Sequence, residues 1–118
     1  MPYVDAYVLP VLKSREGDYL EWARTAAQVW VEHGALSYME ARGDDVPLGK
    51  TTSFPRAVHL TEDEVVYVAV ATYRDRAHRD AVMGLAMQDQ RLAASFADSP
   101  ADMRRMIFGG FQSIVSLP

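Results

Sequence analysis

Two carboxylates stand inside strand-like runs in the company of tyrosines. Asp5 lies between Tyr3 and Tyr7, and Glu40 lies two residues after Tyr38 and two before Arg42. Residues two apart on a strand share a face, so each carboxylate shares its face with phenolic hydroxyls. Tyr67, in a third strand-like run, extends the same tyrosine-rich set. A carboxylate shut off from water is raised in pKa and becomes a general base near neutral pH, whereas a guanidinium beside it lowers the pKa and makes an ion pair. The spacing therefore predicts a Glu40–Arg42 pair and leaves Asp5 as the candidate base. His33 ends a helical stretch, where a capping or packing role competes with a place in a pocket. Arg74, His78 and Arg79 surround the start of another helix, where an anion could be held by them and by free backbone N–H groups. Asp75 and Asp80 offer neutralisation instead.

Other arrangements are weaker. Asp44 and Asp45 form a Gly-Asp-Asp-Val turn, where capping of backbone N–H groups competes with a shared proton or a metal. Glu62, Asp63 and Glu64 read as a solvated hairpin end. His33, His59 and His78 have no metal-ligand spacing, no Gly-x-Ser-x-Gly element occurs, and cysteine is absent. No metal or cofactor is expected. The formal charge of −4 argues against a sequence-independent grip on nucleic acid. No apolar run nears the ~20 residues that span a bilayer, and Asp5 interrupts the first apolar stretch, so neither a membrane span nor a signal peptide is expected. The 118 residues suit one domain over 1–118, and a cytoplasmic location is expected.

Six elements must position these groups. Tyr3 to Leu9 reads as a strand ending at Pro10. Arg15 to His33 reads as a helix whose stripe is Tyr19, Trp22, Ala23, Ala26, Trp30 and His33, closed by Gly34. Leu36 to Arg42 alternates as a second strand. Gly43 to Arg56 holds two glycines and two prolines and reads as a long loop carrying a large apolar residue, Phe54. Val65 to Tyr73 is almost continuously apolar, the mark of a central strand. Asp75 caps a helix from Arg76 to Gln88 with Ala77, Ala81, Val82 and Leu85 as its stripe. Asp89 is expected to cap a further turn through Arg91, Leu92 and Phe96, and Ser99-Pro100-Ala101-Asp102 to start another helix. Met106 to Val115 is the last strand, with a bulge or close approach at Gly109 and Gly110.

The order β-α-β, loop, β-α-β is that of the α+β, ferredoxin-like split fold: a four-stranded antiparallel sheet with both helices on one face. The small apolar set of each strand (Val4, Ala6, Val8; Ser37, Met39, Ala41) suits packing under the helices. The open face is then expected to display Tyr3, Asp5, Tyr7, Tyr38, Glu40, Arg42 and Tyr67. So many aromatics make a poor solvated face. A partner sheet over them gives a homodimer enclosing a polar pocket for a small molecule.

Spaced stretches along almost the whole chain resemble one family. They are Tyr3-Val4-Asp5 to Leu9-Pro10, Val29-Trp30 with Glu32-His33-Gly34-Ala35-Leu36, Gly43-Asp44-Asp45-Val46, Thr52-Ser53-Phe54-Pro55, Arg76 to Val82, and Arg105 to Phe111. The chain resembles the uncharacterised YbaA-like family of small bacterial proteins, which belongs with the dimeric α/β-barrel proteins. The resemblance implies that fold and a homodimer, and carries over no catalytic residue. Dimeric α/β-barrel proteins include cofactor-independent monooxygenases, isomerases and dehydratases of aromatic or polyketide-like substrates. The resemblance thus leaves two readings: such an enzyme, or a non-catalytic ligand-binding or stress-response module acting through its pocket or the 43–56 loop.

Overall fold

The computed structural model describes residues 2–92 and 99–118. Strand β1 (Tyr3–Leu12) leads through a single 3-10 turn into helix α1 (Glu16–Glu32) and strand β2 (Ser37–Arg42). A one-turn helix α2 (Phe54–Ala57) interrupts the long connection to strand β3 (Glu64–Tyr73), which is followed by helix α3 (Arg76–Gln88) and strand β4 (Ile107–Gln112). The strands pair antiparallel in the order β2-β3-β1-β4. This is the ferredoxin-like arrangement, and β3 is central, as its continuous apolar run requires.

Several local expectations change. β1 runs through Pro10 instead of stopping there. The carbonyl of Pro10 and the N–H of Leu12 face Asp102 and Pro100, beyond the last β1–β4 pair at Val8, so the missing proline N–H costs no ladder bond. Residues 99–105 form no helix: Ala101 bridges to Val11, and Asp102 accepts from the backbone N–H of Arg104 and the side chain of Arg105. Phe96 lies outside the described residues. Gly109 and Gly110 pair in regular register with Ala6 and Asp5, so the close-approach alternative holds instead of a bulge: a Cβ at Gly110 would meet Arg79 and Tyr3. In α3 the buried residues are Val82 and Ala86, whereas Leu85 is 52% exposed, so the inward stripe is turned from the expected one.

The largest correction concerns the two faces of the sheet. Tyr3, Asp5, Leu9 and Val11 are buried, as are Tyr67, Ala69, Ala71 and Tyr73. These alternate residues, with Tyr7, Tyr38, Glu40 and Arg42 in the same registers, lie beneath α1 and α3. The open face carries the other set: Val4, Ala6 and Val8, Val68, Val70 and Thr72, Ser37, Met39 and Ala41, Ile107, Gly109 and Phe111. Period two separates two faces but does not say which one the helices cover. The covered face is the mixed one because its tyrosines reach groups on the helices. Tyr73 accepts from the indole of Trp30 at 2.9 Å, and Tyr67 donates to Glu16 at 2.7 Å. A tyrosine buries its ring and still finds a partner for its hydroxyl.

Candidate functional site

A cavity of about 270 Å³ lies between the covered face of the sheet and the two long helices. Its floor follows from register. Tyr7 on β1 and Glu40 on β2 both pair with Ala69 on β3, so the three form one row across the sheet. Alanine at the middle of that row leaves open the space a larger residue would fill. The walls are apolar: Tyr19, Trp22 and Trp30 from α1, Met83 and Met87 from α3, and Met103 and Met106 before β4. The volume lies just under the ~300–1,000 Å³ of ordinary ligand pockets, which suits a small molecule of one or two rings.

Among the described residues, Glu40 is the one carboxylate lining this cavity. Its two oxygens accept from Tyr19 and from Tyr38, the latter at 2.8 Å. Burial raises its pKa above the ordinary glutamate value, while the hydrogen bonds from Tyr19 and Tyr38 pull it back. Burial beside that charge also raises both phenols, so they stay protonated donors. Arg42 does not pair with Glu40. Its guanidinium reaches Glu16 on α1 at 2.6 Å and holds that carboxyl below its usual range, with help from Tyr67. Two residues along a strand share a face but stand about 7 Å apart, and a helix carboxylate facing Arg42 is the nearer partner.

Asp5 is 1% exposed and lies outside the cavity lining, two residues before Tyr7 on the same face of β1. The Nε of Arg79 approaches it to 3.2 Å, and the same guanidinium stacks 5.1 Å over the Tyr3 ring and donates to the Tyr3 hydroxyl at 3.1 Å. Gly110, opposite Asp5 on β4, makes this possible: a Cβ there would collide with the Arg79 guanidinium and the Tyr3 ring. Burial raises the Asp5 pKa, and Tyr73 and the Arg79 charge oppose the rise. Of the two carboxylates, Asp5 is the one beside a cation and Glu40 the one held by neutral hydroxyls, the reverse of the expected division.

The remaining candidates do not join the cavity. Tyr67 packs edge-on against Tyr19 at 4.9 Å, but its hydroxyl is committed to Glu16. His33 caps α1 and meets Asp89, beyond the end of α3, at 3.0 Å; Arg91 and His33 together hold Asp89 below its usual range. Arg74, His78 and Arg79 are engaged separately. Arg79 turns inward to Asp5, the His78 ring accepts from the Arg74 backbone N–H, and Asp75 occupies the start of α3 by capping the His78 N–H. Asp44 and Asp45 are exposed. Glu64 is not a solvated hairpin end: it is buried and paired with Arg105, which also holds the carbonyls of Val58 and His59. Phe54 opens α2 and is 55% exposed in the protomer.

Sequence reasoning placed Tyr19 in a packing stripe and missed its hydroxyl's part in the site. The available signal was a phenol within an otherwise apolar helix stripe. Arg79 gave a similar signal, standing three residues before Val82 and seven before Ala86 on the inward side of α3.

Comparison with known proteins agrees with this architecture. A family model described as a protein of unknown function, DUF1428, matches residues 2–103. The chain is 39% identical over 115 residues to the uncharacterized protein YbaA of Escherichia coli, covering 98% of each, and equally similar to YbaA of Shigella flexneri. Among solved structures it is similar to a mutant of SnoaB, a cofactor-independent oxygenase from Streptomyces nogalater. The TM-score is 0.59 and the identity 16%, over 99% of this chain and 97% of that one. It is also similar to a dimeric ferredoxin-like protein from an uncultured marine organism, with TM-score 0.61 and 12% identity over 99% and 100%. At such identities these two likenesses concern the fold. The chain belongs to the DUF1428 family of proteins of unknown function.

Proposed function

We propose that this member of a family without an assigned reaction binds a small, largely apolar molecule beneath its helices, and that Glu40 serves there as a proton acceptor in cofactor-independent catalysis. The observation that carries the reading is the Glu40 carboxylate itself, raised in pKa, held by two neutral phenols and set in a cavity of aromatic and methionine walls. An aspartate or glutamate meant only for stability is better served by a cation, as Glu16 and Glu64 are. A base near neutral pH needs the elevated pKa that burial supplies. The likeness to a cofactor-independent oxygenase supports the same class. Thermal-shift screening against one- and two-ring hydroxylated or keto compounds, followed by turnover assays, tests it. Glu40→Gln should keep ligand binding and lose turnover; equal turnover in Glu40→Gln overturns the proton-acceptor role. A ligand that binds both proteins and is never turned over favours a non-catalytic binding module.

The protein acts in this reading as a homodimer joined through its open face. That face is aliphatic at almost every position, with Met39 63% and Phe111 59% exposed in the protomer. Contiguous apolar surface of this kind marks a contact, and a second copy offers the same flat, apolar sheet. The likeness to a dimeric ferredoxin-like protein supports this partner.

A further inference from the structure

We propose that the ligand of this cavity is a lipophilic organic cation, an ammonium group carried on an apolar ring, with its charge set between the Glu40 carboxylate and the two tryptophan rings. This rests on the reading of the cavity as a binding site given above and names the ligand class for it; the proton-acceptor step is not needed.

Other carboxylates that the fold holds in place are matched to a guanidinium. Asp5 faces Arg79, Glu16 faces Arg42, Glu64 faces Arg105 and Asp89 faces Arg91. Glu40 has no arginine, lysine or histidine against it among the described residues; its partners are the Tyr19 and Tyr38 hydroxyls. Arg42, two positions along on the same face, is drawn away to Glu16. No basic side chain lines the cavity among the described residues either. A carboxylate taken out of water costs free energy until a positive charge meets it, and here that charge is left for the ligand to bring.

The surroundings suit such a charge. The two tyrosines that donate to Glu40 each pack on a tryptophan: Tyr38 on Trp30 with ring centroids 6.0 Å apart, and Tyr19 on Trp22 at 5.6 Å. All four rings line the cavity. Aromatic faces carry negative charge density, and tryptophan attracts an organic cation most strongly. Met83, Met87, Met103 and Met106 add polarisable thioethers that adapt to the ligand's apolar part. The same set discriminates against other ligands. An anion meets the Glu40 charge with nothing to offset it. A neutral carbonyl finds the Tyr19 and Tyr38 protons already given to Glu40, and the Trp30 N–H given to Tyr73. A quaternary ammonium ion asks the protein for no donor at all. The volume of about 270 Å³ fits one ring and a small ammonium group.

The test compares three probes of similar size. Benzyltrimethylammonium carries a charge that no pH removes, neopentylbenzene has the same shape with carbon in place of nitrogen, and 4-tert-butylphenol is a neutral hydroxyl donor. Trp22 and Trp30 are the only tryptophans in the chain and both line the cavity, so intrinsic fluorescence reads occupancy. The wild type should bind the ammonium ion about tenfold more tightly than neopentylbenzene, and Glu40→Gln should bring the two affinities together. NMR of the wild type should show Overhauser contacts from the N-methyl protons to the indole protons, a check that stands even where the variant fails to fold. Equal wild-type affinity for the ammonium ion and neopentylbenzene overturns the cation assignment and leaves a cavity for apolar ligands standing. Tighter binding of 4-tert-butylphenol than of the ammonium ion overturns it in favour of a neutral donor to Glu40. A preference that survives Glu40→Gln, or N-methyl protons that touch neither indole, overturns it by placing the cation elsewhere. Failure of the wild type to bind any of the three overturns this proposal together with the reading of the cavity beneath it.

Discussion

The two faces of the one sheet follow opposite rules. The covered face is crowded with tyrosines and carboxylates, and most of them are answered by a helix: Tyr67 by Glu16, Tyr73 by Trp30, Tyr3 by Arg79 and Glu40 by Tyr19 through hydrogen bonds, and Asp5 by the charge of Arg79. The open face has almost no polar side chain to answer, only valine, alanine, methionine, isoleucine and phenylalanine with Ser37 and Thr72 at one end, where they hydrogen-bond each other at 2.6 Å. Polar groups survive burial only where named partners are in place, and those partners come from elements of the same chain whose position is fixed on folding. An interface with a second copy can be made from shape and apolar area alone. In the proposed reading, the contrast separates a face that holds chemistry from one that holds a partner.

The largest expected effect breaks the open face. Val70 sits mid-strand on β3 opposite Ala6 and Met39. Val70→Asp leaves the protomer's fold intact, because the new carboxylate points to solvent there, but puts an unpaired charge inside the dimer at a cost of about 3–5 kcal/mol. Light scattering after size exclusion should report the monomer mass for the variant and twice that for the wild type. A dimer mass in Val70→Asp would move the interface elsewhere.

A smaller effect sharpens the rule on the covered face. Tyr38→Phe deletes one of the two hydrogen bonds to the Glu40 carboxylate and should cost about 1.5–3 kcal/mol, a drop of several degrees in melting temperature. Tyr7→Phe, on the same face and equally conservative, removes a hydroxyl that only neighbours the Asp5 carboxylate and should cost less. Equal losses in the two variants would remove the distinction between a hydroxyl at full hydrogen-bond geometry and one that only neighbours a carboxylate.

The smallest effect is in the pH dependence. The Glu40 pKa is raised in the folded chain, so the folded state holds more protons than the unfolded one between the ordinary glutamate value and the raised one. Stability then falls as pH rises through that window. Glu64 and Glu16, held low by arginines, contribute the opposite slope, losing stability as pH falls. Subtracting the Glu40→Gln stability profile from that of the wild type should leave a difference that declines with rising pH. A flat difference would mean that Glu40 is as well stabilised as an exposed carboxylate.

Much of this architecture follows from local sequence. Asp75 before Arg76 starts α3 by capping the His78 N–H, Gly34 at φ +117° turns the chain out of α1, and the valine-rich run makes β3 central. Alternation put Asp5 with Tyr3 and Tyr7, and Glu40 with Tyr38 and Arg42, each on one face, because a two-residue period is a property of any extended backbone. Which face the helices cover is a different kind of fact. It depends on whether Arg79, Trp30, Tyr19 and Glu16, remote in the chain, arrive above the tyrosines or beneath them, and a period of two is the same either way. The exchange of partners by the carboxylates has the same origin. Arg42 is two residues from Glu40 in sequence, yet Glu16 and Arg79 reach across from helices 26 and 74 positions away from their partners Arg42 and Asp5. Residue type and spacing determined that this chain has two unlike sheet faces and a set of carboxylates among phenols. Only helix packing decided that those carboxylates lie inside the protomer, with Glu40 held by phenols, because long-range contacts choose among faces that local geometry leaves equivalent.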